Sequence, residues 1–265
     1  MVSTVKQEKI SVATKSFTRF PRVGNFVMKD PRTWEYVQKL PDMGMLNAYG
    51  LTNDGVEKCA KQIAISRKKG FNVIPNFYPE FDKGKEIAIK ETLEAVGIFC
   101  FYFGTEKWIL ELNFSCPNSK EIIAENIQMA SKCVTEVKKL YPDVVIIAKT
   151  SIVHPYHFYT ILRNAGADCI HAINTIPYTM LFDSISPLEN VGGGGVSGGP
   201  GFQKSFPYII EIPKWTSLPL IFGCGVINSR DMEMCFEAGA RSVSICTLAA
   251  RDSKKARKLI CEFGS

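Results

Sequence analysis

The sequence predicts an α/β protein, with parallel strands joined by crossover helices in a single domain over residues 1–265. Two observations predict this class. From Lys9 onward, short apolar runs of strand character alternate with longer segments of helical spacing, as in a parallel sheet covered by its own connections. The polar residues able to do chemistry gather directly after the apolar runs, where the carboxyl ends of parallel strands open onto a ligand crevice. A chain of 265 residues, 46% hydrophobic and 22% charged, is also long enough to bury a large core.

Residues 10–14 form the first strand, followed by Lys15-Ser16-Phe17-Thr18 and a turn at Pro21-Arg22-Val23-Gly24-Asn25. Gly44, Gly50 and Gly55 fall close together, marking backbone that needs unusual dihedrals, and Asn53-Asp54 reads as the cap of a helix over residues 55–69. Residues 71–77 are the second strand, ending at Asn76, and 86–96 a helix with Ile87, Leu93 and Val96 on one side. The run 108–112 is a strand closed at Pro117, which cannot continue a ladder. Asn113, Ser115 and Cys116 precede that stop and Asn118 follows it. The carboxamides can donate to and accept from a planar polar ligand, and Cys116 becomes a proton acceptor once its thiol ionises.

Residues 121–140 have helical spacing, with Cys133 as packing. The apolar strand 144–148 then delivers Lys149-Thr150, and the strand 168–173 delivers Asn174-Thr175. His154 and His157 read as structural or surface groups at a helix start, and His171 as packing along a strand. Residues 177–200 have no helical period and end in the glycine-rich run 192–201. Strand 218–222 ends at Gly223-Cys224-Gly225-Val226. A helix carrying Asp231 follows, and the last strand, 241–245, ends at Cys246-Thr247.

Several function classes are set aside by composition. Net charge is +6 with pI about 8.8, but Lys and Arg are scattered and no basic cluster is interleaved with aromatics, so nucleic acid is not expected. A mildly basic surface or a site for small anions accounts for the charge. Nine cysteines without a C-x-x-C pair or His/Cys ligand spacing argue against a metal site and a disulfide scaffold; free thiols point to a reducing, cytoplasmic setting. Residues 2–9 are polar, unlike a signal peptide, and no apolar run is long enough to span a membrane.

Asn113-Phe114-Ser115-Cys116-Pro117-Asn118, Asn-x-Ser-Cys-Pro-Asn at a strand end, resembles the active-site strand of class 1-like dihydroorotate dehydrogenases, flavin enzymes of pyrimidine synthesis. Later segments agree with it in order. The resemblance implies a TIM (β/α)8-type barrel, FMN as cofactor, oxidation of dihydroorotate to orotate, a homodimer, and Cys116 as base. It implies that Lys15, Asn47, Asn113, Asn118, Asn174 and Thr175 hold the substrate, with Lys15 reaching the flavin as well. Lys149 falls where the family has a lysine beside the flavin ring, its charge stabilising the reduced form. Ser16, Asn76 and Asn113 join the flavin-binding set. Gly195, Ser197 and Gly198 match the family's Gly-Gly-x-Ser-Gly, where absent side chains let the backbone approach the flavin. Gly223, Cys224 and Gly225, with Cys246 and Thr247, resemble the phosphate site that barrels build after their last two strands.

The chain departs from the family pattern in four ways. Val226 and Cys246 stand where the family has glycine, which matters if those positions need positive φ. Ser119-Lys120-Glu121 runs almost at once into helix where the family carries a longer lid. About seven strands are legible where a closed barrel has eight; the family's opening strand has no counterpart before Lys9, so the first βα unit is expected to be absent. Family members also usually carry more chain after the final helix. Two open strand edges would follow from the missing unit. Two alternatives stay open: a related flavin oxidoreductase acting on another pyrimidine-like ring, and a non-catalytic degenerate barrel. Fumarate, a quinone or a nicotinamide-linked partner subunit are all possible electron acceptors.

Overall fold

A computed structural model describes residues 10–104, 107–115 and 123–264. Cys116, Asn118 and the expected short lid at Ser119–Glu121 lie outside the described residues.

The strands β1 (Ser11–Phe17), β2 (Val37–Lys39) and β3 (Met45–Asn47) lead into helix α1 (Gly55–Lys68). Then β4 (Asn72–Phe77), α2 (Lys85–Phe103), β5 (Ile109–Asn113), α3 (Ile123–Leu140), β6 (Val145–Lys149), α4 (His157–Ala165) and β7 (Cys169–Ala172) alternate. The chain continues through β8 (Ile176–Pro177), β9 (Gly195–Ser197), α5 (Gly199–Ile209), β10 (Leu220–Phe222), α6 (Ser229–Glu237), β11 (Ser242–Val243), α7 (Thr247–Arg251) and α8 (Ser253–Phe263).

Seven strands pair in the order β1-β4-β5-β6-β7-β10-β11, and every pairing is parallel. Sequential order with a helix on most connections is (β/α) barrel topology, one strand short of eight among the described residues. Side chains alternate along each strand. Leu110, Leu112, Ile146, Ala148, Ile170, Ala172 and Phe222 join the apolar cluster shared with the helices. The opposite parity carries Asn76, Glu111, Asn113, Lys149 and His171, so the inner face is polar at its carboxyl end.

The sequence reading holds for these parallel strands to within a few residues, and differs elsewhere for physical reasons. Helix α2 runs on to Phe103 because its C-terminal turns are apolar on all sides and show no period; Gly84 at φ 92° and Gly104 at φ 78° bound it. Its buried face uses Ala88, Thr92, Ala95, Val96 and Phe99, while Ile87 is exposed. The span 177–200 is not wholly irregular. β8 and β9 pair antiparallel there and join β3 and β2 in a four-stranded sheet, order β2-β3-β9-β8, over a small cluster of Leu46, Ala48, Tyr178, Leu188 and Val196. No helix of the described residues is long and apolar enough to cross a membrane.

Candidate active site

A cavity of about 1240 Å³ opens at the carboxyl ends of the parallel strands. β1 brings Lys15 and Ser16 to it, β4 Asn76, β5 Asn113, β6 Lys149, and the turn after β7 Asn174 and Thr175. The small sheet closes another wall with Asn47, Gly195, Ser197 and Gly198, and the turns after β10 and β11 contribute Cys224, Gly225, Cys246 and Thr247. These residues are far apart in sequence; a common position at strand ends converges them.

Internal hydrogen bonds orient most of the polar groups. Asn113 Nδ2 donates to Ser16 Oγ at 3.0 Å, and its Oδ1 accepts from Ser115 Oγ at 2.6 Å and Ser115 N at 3.1 Å. Asn174 Nδ2 donates to Ser115 O at 3.1 Å, so the end of β5 is held from both sides. Asn47 Nδ2 donates to Gly195 O at 3.2 Å, and Thr247 Oγ1 to Ser197 Oγ at 2.8 Å. Asn53 takes the structural role its position predicts: its Oδ1 accepts from Gly55 N at 2.8 Å and Thr18 N at 3.2 Å.

Lys15 Nζ donates to Thr52 O at 2.9 Å and lies 4.4 Å from the Tyr49 ring centroid. Removal of water from its ammonium lowers its pKa to about 8. Lys149 Nζ stands 3.7 Å from Glu111 Oε1. Burial alone would raise the Glu111 carboxyl; electrostatic interaction with His171 and Lys149 and hydrogen bonds from His171 and Asn76 outweigh it and hold the group well below the usual carboxylate range.

Two sequence expectations need correction. His171 is not apolar packing: it lines the cavity, with Nδ1 2.6 Å from Glu111 Oε2 and Nε2 2.7 Å from Ser244 Oγ. Gly223 does not reach the cavity; a Cβ there would collide with Ser244 Oγ. Gly198 and Gly225 line the cavity as expected and also make room for protein backbone: at φ 83° and 106°, a Cβ would strike Met43 O in one case and Phe202 N in the other. Val226 and Cys246 avoid positive φ, and the residue that adopts it is Cys224, at φ 72°. Burial raises that thiol to about 12, which leaves it protonated.

Glu111 was missed in sequence. The available signal was its place two residues before Asn113, hence on the same face of the strand.

FMN, the cofactor the resemblance implies, can be tested against one buried atom. Asn76 Oδ1 lies on a side chain 2% exposed at the cavity wall and has no hydrogen-bond partner among the described residues, while Asn76 Nδ2 donates to Glu111 Oε1. A buried unpaired acceptor is costly, and a ligand N–H in the cavity would satisfy it. A polar floor, a flanking lysine and room for a molecule of that size fit the group.

Comparison with known proteins gives the family. A family profile for dihydroorotate dehydrogenase matches residues 2–264. The catalytic subunit of dihydroorotate dehydrogenase B (NAD(+)) from Oceanobacillus iheyensis is 31% identical over 242 residues, covering 89% of this chain and 74% of that protein. The protein of the same name from Endomicrobium trichonymphae is 30% identical over 241 residues, covering 88% and 72%. In fold, the ligand-free dihydroorotate dehydrogenase of Eimeria tenella superimposes with a TM-score of 0.71 at 18% identity, covering 94% of this chain and 75% of that one. The chain therefore belongs to the dihydroorotate dehydrogenase family and is an oxidoreductase.

Proposed function

We propose that the chain oxidises dihydroorotate to orotate with FMN as the hydride acceptor and the Cys116 thiolate as the base that takes the proton from C5. The observation that carries this reading is the convergence of Lys15, Asn47, Asn113, Lys149 and Asn174 on one cavity whose wall bears Asn76 Oδ1, unpaired among the described residues. Lys15 offers a cation to the substrate carboxylate. Asn47, Asn113, Asn118, Asn174 and Thr175 offer amide and hydroxyl groups to the ring edges. Lys149 supplies positive charge where electron density builds up. A free thiol has a pKa of about 8.5, so neighbouring positive charge has to favour the Cys116 thiolate at neutral pH. Cys116 enters on its motif alone. When bound, FMN supplies the two-electron chemistry that no side chain provides.

The relatives' name, dihydroorotate dehydrogenase B (NAD(+)), catalytic subunit, supports a nicotinamide-linked partner subunit as the electron acceptor over fumarate or a quinone.

The purified chain is expected to be yellow, or to take up one FMN, and dihydroorotate added under nitrogen should bleach it. Cys116→Ala should retain FMN and lose at least about 100-fold in reduction rate, as expected for removal of a general base. Full-rate reduction of the variant would exclude Cys116. A flavin bleached by dithionite but not by dihydroorotate would redirect the search to another ring, and a chain that cannot take up FMN would exclude flavin chemistry.

A further inference from the structure

Below Lys149 the barrel interior holds polar groups to which the reaction above assigns no role. Glu111 is 2% exposed in the middle of β5. One oxygen, Oε2, meets His171 Nδ1 at 2.6 Å; the other accepts from Asn76 Nδ2 and stands 3.7 Å from Lys149 Nζ. The far side of the imidazole is fixed as well, with Nε2 2.7 Å from Ser244 Oγ. The contact with Ser244 exists because residue 223 is glycine: a Cβ there would strike the serine hydroxyl and come within 3.2 Å of His171 Nε2.

The two distances at Glu111 are unequal in a telling way. A charge-assisted N–H···O bond closes to about 2.7–2.9 Å. His171 makes such a contact and Lys149 does not. The carboxylate is thus engaged by the imidazole and Asn76, and the ammonium is left at the cavity wall, 19% of its side chain exposed, without a closed ion pair among the described residues. In a poorly solvated interior, opposite charges this close attract strongly. A Glu111 released from the ring would turn toward Lys149 and draw its ammonium to the floor.

We infer that His171 is a positioning residue: acting through Glu111, it holds the Lys149 ammonium out of a closed ion pair and keeps its charge available to the flavin site. The inference rests on the flavin reading for its consequence, but not for its geometry.

Both parts are measurable on the full chain. Crystal structures of wild type, His171→Ala and the space-filling His171→Leu report the Lys149–Glu111 separation without FMN. Dissociation constants for oxidised and reduced FMN report the charge at the site. In both variants Lys149 Nζ is expected to close on Glu111 to about 2.8 Å. The ratio of oxidised to reduced dissociation constants should fall about tenfold, equivalent to a midpoint potential lower by about 30 mV for a two-electron couple. His171→Asn, whose Nδ2 can stand where the ring Nδ1 stood, should restore both. Should His171→Ala not fold, His171→Leu decides. An unmoved Lys149, or an unchanged or raised ratio in a folded variant, overturns the inference. If wild type takes up no FMN, the flavin reading falls, while the Lys149–Glu111 distance still decides the role of His171.

Discussion

The ammonium of Lys15 sits between the Thr52 carbonyl and the face of Tyr49, on a residue that is exposed as a whole. Lost hydration lowers its pKa from 10.5 to about 8, with two consequences. For stability, the folded chain holds this proton less firmly than the unfolded chain between about pH 8 and 10.5, so Lys15 costs stability at neutral pH and the cost fades as pH rises through that window. For ligand binding the sign is opposite. If the charged form holds the orotate carboxylate, affinity is full below about pH 8 and falls above it, approaching about tenfold per pH unit until the lysine of the complex also titrates. Calorimetric titration of orotate at pH 7, 8 and 9 measures this. Lys15→Ala should bind weakly with that dependence gone, and a flat wild-type profile would remove Lys15 from the carboxylate site. Lys15 and Lys149 were legible in sequence because each falls where the resembled family carries a lysine; a strand-end position alone reads as a solvated cation. Glu111 and His171 were not, because strands buried on both faces read as near-continuous apolar runs, and a polar residue within one acquires meaning only when the strands' inner faces are brought together.

At the corner between β6 and α4, the buried His154 joins elements that the sheet alone does not connect. Its Nδ1 accepts from Ser151 N at 3.0 Å, its Nε2 lies 3.0 Å from Asn126 Oδ1 on α3, and its carbonyl accepts from Tyr208 Oη on α5 at 2.6 Å. That network assigns a neutral ring with the proton on Nε2. Burial lowers the pKa to about 4. The unfolded chain takes up a proton below about pH 6.5 while the folded chain resists until about 4, so stability is lost as pH falls across that interval. The loss is at most about 3 kcal/mol. Urea midpoints at pH 7 and pH 5 should differ accordingly, and His154→Gln should be less stable at pH 7 with a flatter acid limb. A variant with an unchanged acid limb would assign the loss to other groups. Here the sequence reading of a structural histidine agrees with the geometry, while the small sheet was illegible. β8 and β9 are two and three residues long, and β9 finds its register against a distant segment, with Met45 opposite Ser197 and Asn47 opposite Gly195. Tertiary pairing, not local pattern, makes them strands.

Across the whole molecule, the sequential parallel order was legible because each strand–helix unit repeats one local pattern, and the tally of about seven strands matches the sheet. Among the described residues, β1 and β11 each pair with one neighbour in that sheet, so the barrel is not closed by hydrogen bonds. Exposure follows: Ser11, Val12 and Ala13 are exposed on β1, and Ser242 on β11. Unpaired N–H and C=O groups along a flat edge are a template for another chain, and a hydrophobic side chain there strengthens the contact. Val12, 39% exposed, is that side chain. The 265-residue chain should therefore self-associate with rising concentration, which sedimentation equilibrium would detect. Val12→Lys should weaken the association, because a lysine on an edge strand must be desolvated before another strand can pair with it. The substitution is at the surface, so stability should change by less than about 0.5 kcal/mol. If the wild-type chain sediments as a monomer at all concentrations, the edge is not a site of assembly; if it associates and Val12→Lys associates equally well, the contact lies on another face.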